Sequence, residues 1–104
     1  DVVQALKVPA NTIVLRVWCI VKTAEGETAT ATVGDGAGAN SWDASVNLNA
    51  TAGTLTSSAY GTDAYATTSK FYTSADTIDL TVSAALDTAK IIVKAEMMSV
   101  ENYA

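Results

Sequence analysis

The residues best suited to chemistry in this chain are the carboxylates Asp35, Asp43, Asp63, Asp76, Asp79 and Asp87. A pair of them at the right separation would be the machinery of a glycosidase. Asp79, however, sits at an outward position of an alternating strand pattern. The others lie in turn contexts, where aspartate caps backbone N–H groups and does not become the raised-pKa acid that such a reaction needs. The stretch "VGDGAGANSWD", Val33 to Asp43, offers Asp35, Asn40 and Asp43 as hard oxygen donors. It fits neither the twelve-residue EF-hand loop nor the nonapeptide calcium repeat. No lysine follows its glycines and no helix pattern begins there, so it is not a phosphate cradle. The glycines instead supply the backbone freedom of a tight turn directly after a strand. The chain has no histidine, which removes Ser-His-Asp and Cys-His nucleophilic sites together with the usual zinc and copper ligand sets. The expectation is a chain with no catalytic residue, no metal site and no cofactor.

Cys19 is the single cysteine, so no internal disulfide forms. Within "TIVLRVWCIVK" it reads as a small buried hydrophobe of a strand, because nothing nearby lowers its pKa. Trp18, Trp42, Tyr60, Tyr65, Phe71 and Tyr72 are the aromatic residues that could stack on a sugar ring. Trp18 reads as core from its strand position. Tyr60 and Tyr65 fall in a segment without a clear period and are the better candidates for an exposed contact. Trp42 is either a plug over its loop or a surface contact.

Threonine and other β-branched residues recur throughout, and helix-type spacing is hard to find. "NTIVLRVWCIVK" is apolar on both alternating faces, the mark of a central strand. "TAEGE" with Gly26 followed by "ETATATV" predicts a hairpin with that strand. "SVNLN" places Val46 and Leu48 on one face, and "TLTSS" and "KFYTS" are short strand candidates. "DTIDLTV" turns Ile78, Leu80 and Val82 inward, and "KIIVKAEMMSV" aligns Ile91, Val93, Ala95 and Met97. Residues 59–69 read as loop. Pro9 removes a ladder donor and favours an edge or an entry bend. About seven short strands in a chain of this size predict one all-β domain, an antiparallel β-sandwich that is jelly-roll-like, with an Ig-like topology as the alternative. The predicted organisation is an extended arm or edge segment over residues 1–10, the sandwich over 11–100 and a tail over 101–104.

The chain has 104 residues, 49% of them hydrophobic, but much of that fraction is alanine. The core is therefore thin, and burial against other subunits or a partner surface is a plausible further source of stability. Six basic residues against eleven acidic ones, a formal charge of -5, argue against nucleic acid and anionic membrane as partners. No apolar stretch approaches the roughly 18 residues of a membrane-spanning helix, and the chain reads as water-soluble.

The phrases "ALKVPANT", "TAEGETATATVGDGAGANSWDASVNLNATAGT" and "YTSADTIDLTV", taken in this order over about Ala5 to Val93, resemble the small virion structural proteins of tailed bacteriophages, the capsid decoration and head-fibre components. The resemblance implies a jelly-roll-like sandwich and a non-enzymatic protein that binds the major capsid protein or another virion part on the capsid surface or head fibre. It also implies a homo-oligomer, with a trimer favoured. A relative would carry further sequence before Asp1, where an anchoring arm would lie. The candidate partner contacts are Val2, Val3, Trp42, Tyr60, Tyr65 and Tyr103. The alternative is a carbohydrate-binding or receptor-binding module of a phage fibre or tail, with a glycan as ligand.

Overall fold

The computed structural model of the chain describes residues 2–58 and 63–101. Its elements are β1 (Val2–Val8), β2 (Thr12–Thr23), β3 (Thr30–Gly34), β4 (Asp43–Asn47), β5 (Leu55–Ser57), α1 (Ala64–Thr68), β6 (Lys70–Tyr72), β7 (Asp76–Val82) and β8 (Lys90–Ser99). The architecture is the predicted all-β sandwich, with every strand pair antiparallel. One sheet has the order β1-β7-β3-β4. In the other, β2 is flanked on one side by β8 and on the opposite side by β5 and β6.

Two inner faces meet in one apolar cluster. Ile78, Leu80 and Val82 of β7 and Ala31 and Val33 of β3 face Val14, Val17 and Cys19 of β2, with Trp42, Val46, Leu48 and Tyr72 closing its periphery. The alternation read from "DTIDLTV" and "SVNLN" is the one that packs: Ile78, Leu80, Val82, Val46 and Leu48 are all buried. Asp79, on the other face of β7, is also nearly covered, and it accepts a hydrogen bond from Thr77 Oγ1 at 2.6 Å.

Strand β2 does not keep one inward parity. Thr12 and Val14 are buried at its start, but Val17, Cys19 and Val21 are buried further on. The switch comes from a bulge at Leu15, where the pairing with β8 passes from Val14↔Met97 to Arg16↔Glu96. An extra residue in one strand moves all later side chains to the opposite face. The bulge lies opposite the gap between β6 and β5, where no strand among the described residues supplies partners. Two serines fill that role: Ser69 Oγ donates to the Leu15 carbonyl at 3.0 Å, and the Val17 N–H donates to Ser58 Oγ at 2.9 Å. Neither backbone group is left buried without a partner, which would otherwise cost of order 1–3 kcal/mol.

The predicted hairpin between β2 and the "ETATATV" strand is not formed. β2 and β3 belong to different sheets, and residues 24–29 carry the chain across the sandwich. A buried carboxylate fixes that crossing. Glu25 accepts from the backbone N–H groups of Asp87, Thr88 and Ala89 and from Thr88 Oγ1, all in the β7–β8 connection. Its own N–H donates to the Leu48 carbonyl at 2.9 Å. Of the segment read as loop over residues 59–69, residues 59–62 lie outside the described residues and the rest contains α1, a five-residue helix.

The Glu25 nest makes stability depend on acid. Hydrogen bonds from the Thr88 and Asp87 amides hold the carboxyl at a pKa of about 2, against an ordinary value of 4.5. A folded-state pKa below the unfolded one gives stability that is complete above the unfolded value and disappears as pH falls towards the folded one. Glu25→Gln is therefore expected to lower the denaturation midpoint at neutral pH, with the gap to the parent closing between about pH 4.5 and pH 2. Urea titrations across that range measure it, and a gap that stays constant with pH would refute the role.

Candidate functional site

The densest group of chemistry-bearing side chains forms around the turn that follows β3. That turn closes when the Asp35 N–H donates to the Gly38 carbonyl at 3.0 Å, while the amides of Ala37 and Gly38 donate back to Asp35 Oδ1 at 2.9 and 3.0 Å. Gly34, which leads into it, must be glycine, because a Cβ there would run into the Gly38 carbonyl and the Ala39 backbone. The other carboxylate oxygen, Oδ2, accepts from Lys70 Nζ at 2.8 Å and from the Tyr72 hydroxyl at 2.7 Å. The Tyr72 oxygen in turn accepts from Trp42 Nε1 at 3.1 Å, and Lys70 also donates to the Tyr65 hydroxyl at 2.9 Å. The ammonium sits between two rings, 4.5 Å from the centroid of Tyr65 and 4.6 Å from that of Tyr72. Trp42 and Tyr65 meet edge to face at 5.4 Å. Helix α1 is tied to the same turn through the Tyr65 N–H, which donates to the Ser41 carbonyl at 2.8 Å.

Three elements place these groups. β3 delivers Asp35 at its end, β6 presents Lys70 and Tyr72 on its inner face, and α1 lays Tyr65 across the opening. The electrostatics keep each group in its ordinary charge state. Burial pushes the Asp35 pKa up, but donation from Lys70, Tyr72, Gly38 and Ala37 outweighs it and leaves the carboxyl below its ordinary value. Burial opposes charge on Lys70 too, yet its bonds to Asp35 and Tyr65 raise its pKa. Tyr72 is held protonated by burial and by its bond to Asp35. General acid–base chemistry works best with a pKa near the working pH, and every shift in this cluster runs away from neutrality. A carboxylate offers about four acceptor positions, and Asp35 has used them within the chain, so it has none to present to a cation.

Asp43 and Asp63 lie near one another beside this cluster. Burial, and then the charge of Asp63, raises the Asp43 pKa. Each is engaged with backbone: Asp43 Oδ1 accepts from the Ser45 N–H and Asp63 Oδ2 from the Ala44 N–H, both at 3.0 Å. Among the described residues, no three acidic or cysteine side chains converge on a common point.

The expected contact residues separate. Val2 and Val3 are exposed on β1, at 62% and 52%. Trp42 is fully buried, which corrects its reading as a partner contact: its ring fills the core, its N–H is committed to Tyr72, and it has no surface to offer. Tyr65 is half-buried over Trp42, with its hydroxyl taken by Lys70. Tyr60 and Tyr103 lie outside the described residues. Two depressions, one of about 530 Å³ near Lys7, Pro9 and Asp76 and one of about 350 Å³ near Glu25, Thr28 and Thr88, have no aromatic side chain in their walls.

The surface that sequence reasoning missed is the outer face of the β8-β2-β5/β6 sheet. Pairing puts Ile13 beside Met98 and Phe71, Trp18 beside Lys94 and Ser57, and Ile20 between Ile92 and Leu55. Leu55, Met98 and Ile92 are exposed, and Ile13, Trp18, Ile20 and Phe71 are half-buried. In the middle, Arg16 Nε meets Glu96 Oε1 at 3.0 Å and the guanidinium lies 5.8 Å from the Trp18 ring centroid. Trp18, read as core, thus belongs to this outer face, because the Leu15 bulge turns the odd-numbered residues inward after it. The missed signal was the apolar character of both faces of β2, which fits an uncovered apolar sheet as well as a buried central strand. No protein-family model, curated protein or solved structure matches the chain.

Two outcomes test this description. Asp35→Asn leaves the Lys70 charge without its anion and should cost about 3 kcal/mol of folding stability; an equilibrium denaturation curve that overlays the parent would refute the bracing role. Cys19 is buried, and burial followed by the nearby Asp43 charge pushes its thiol up to about 12. Thiol-reactive dye should therefore label it only in denaturant, since the thiolate is the reacting species.

Proposed function

We propose that the chain is a non-enzymatic structural protein of a bacteriophage particle, one that decorates or cements the capsid by binding the major capsid protein as a homo-oligomer. The observation that carries the binding part is the outer face of the β8-β2-β5/β6 sheet, where Ile13, Trp18, Ile20, Leu55, Phe71, Ile92 and Met98 form an apolar surface interrupted by the Arg16–Glu96 ion pair and Lys94. Contiguous apolar surface of this kind marks contact with another macromolecule. The side chains that could have served catalysis are turned to internal use: Asp35, Lys70, Tyr65 and Tyr72 satisfy one another, and Glu25 holds a loop crossing. The assignment to a phage particle rests on the resemblance of the ordered phrases from "ALKVPANT" to "YTSADTIDLTV". Among the described loop aromatics a sugar-stacking role draws no support, because Trp42 is buried and Tyr65 is half-buried with its hydroxyl taken by Lys70.

Co-sedimentation with phage capsid shells that lack small outer proteins is the direct test. The chain should pellet with the shells, and Ile20→Glu combined with Leu55→Glu should reduce the bound fraction by at least about ten-fold, as the loss of apolar contacts at a docking surface implies. A folded chain that stays in the supernatant with every shell offered would sink the proposal.

A further inference from the structure

The sandwich has four kinds of sheet edge, and they are not alike. β1 is bulged at Ala5, where its pairing with β7 passes from Gln4↔Asp79 to Leu6↔Ile78. β4 pairs irregularly with β3 beyond Val46. β5 and β6 are three residues each. Bulges and short strands are the usual means of keeping an edge from recruiting another chain. β8 has neither: it runs ten residues, and the irregularities in its ladder with β2 fall on the β2 side, at Leu15 and Lys22, so that Lys90 to Ser99 pair without a skip. Among the described residues its only ladder partner is β2.

The charges on this edge fit a second copy of the same strand. An antiparallel pair related by a two-fold axis normal to the sheet keeps each face on its own side, so outward residues must stand opposite outward residues. Ile92, Lys94, Glu96 and Met98 are the outward set, opposite Ile20, Trp18, Arg16 and Ile13. A register centred on Lys94 puts lysine opposite lysine, and one centred on Glu96 puts glutamate opposite glutamate. Centring on Ala95 uses nearly the whole strand, sets Lys94 opposite the partner's Glu96 twice over, and sets Ile92 opposite the partner's Met98. On the inner face it brings Val93 to the partner's Met97, which is 37% exposed in the single chain. Each Glu96 carboxylate would then lie between its own Arg16 and the partner's Lys94.

We infer that the chain forms a two-fold symmetric dimer through antiparallel β8–β8 pairing centred on Ala95, joining the two β2-centred sheets into one continuous sheet. Opposite charges directly across a strand pair stabilise it and like charges destabilise it, so the two Lys94–Glu96 contacts select this register. The inferred dimer has a two-fold axis, whereas the resemblance implies a trimer, and the pairing does not depend on what the particle is. The joined sheet doubles the apolar outer face that the proposed docking uses.

Sedimentation equilibrium over a concentration series, on the chain alone, tests it. The parent should fit a monomer–dimer equilibrium. K94E sets acidic groups opposite Glu96 and E96K sets basic groups opposite Lys94, so each alone should dimerise roughly thirty-fold more weakly. Mixed in equal amounts, the two variants present complementary charges at both contacts and should recover a heterodimer that neither makes with itself. Introducing a thiol by A95C should give a disulfide-linked dimer under mild oxidation, whatever the effect of the charge variants on folding. A parent that stays monomeric into the millimolar range, a trimer, or a mixture that recovers no heterodimer would overturn the inference. Loss of capsid binding with the dimer intact would instead count against the docking proposal alone.

Discussion

The bulge at Leu15 is the constraint on which most of this molecule depends. β2 is the strand that touches β5, β6 and β8, so a change of parity within it decides what the whole sheet buries. Before the bulge Thr12 and Val14 face inward; after it Val17, Cys19 and Val21 do. The residues displaced outward, Trp18 and Ile20, are as apolar as those taken in. The bulge is also absorbed by β2 alone, so the neighbouring β8 stays regular. One extra residue thus decides which apolar side chains face outward, keeps Arg16 out of the core and leaves the β8 edge intact, and its own backbone groups are satisfied by Ser58 and Ser69, which flank the break between β5 and β6.

The polar cluster at Asp35 follows from how the core is filled. With alanine and threonine so common, large aliphatic side chains are too few to fill the space between two sheets, and Trp42 and Tyr72 supply the missing volume. Buried tryptophan and tyrosine bring an N–H and a hydroxyl that need partners. Tyr72 accepts from Trp42 and donates to Asp35, which introduces a buried negative charge, and Lys70 neutralises it. A buried ion pair seldom adds net stability over an apolar pair, but breaking one side of it is costly. The arrangement of Asp, Lys and Tyr that would suggest a catalytic group in a sequence is here the consequence of closing a thin core with amphipathic rings. Glu25 is the same solution at the opposite problem: loop amides without strand partners receive an anion from a neighbouring crossover.

The sandwich was legible because "DTIDLTV" and "SVNLN" alternate with a period of two, and the apolar residues that their alternation turns inward are the ones buried. The β2–β3 hairpin was not legible, since Gly26 marks a reversal without saying whether the returning strand stays in its sheet. What diverts it is Glu25, whose partners lie more than sixty positions away, in the β7–β8 connection. Trp42 and Trp18 were exchanged for a related reason. A tryptophan in a glycine-rich loop reads as either a plug or an exposed contact, and one in a strand reads as core, yet the loop folds inward over its own Asp35 while the bulge turns the strand residue out. Both reversals are set by single residues whose effect is not periodic, and periodicity is what sequence reading detects. Lys70–Asp35 spans 35 positions and joins a turn to a three-residue strand, so no local pattern points to it.

An apolar face beside a regular edge would be an aggregation hazard if nothing limited how copies meet. The charges on β8 supply that limit. Arg16 and Glu96 interrupt the apolar row at its centre, and Lys94 stands one outward position away along the strand. Registers that slide by one outward position in either direction oppose like charges, while the register centred on Ala95 opposes unlike ones. Once two copies have paired in that register, each β8 has spent its edge, and the combined sheet ends at β5 and β6, whose three-residue lengths and intervening gap give a further strand little to extend. The same few residues that make this edge adhesive therefore also make the association close after two copies. A chain with so little large aliphatic side chain in its core can expose an apolar sheet and still avoid open-ended stacking only if its termination is built in this way.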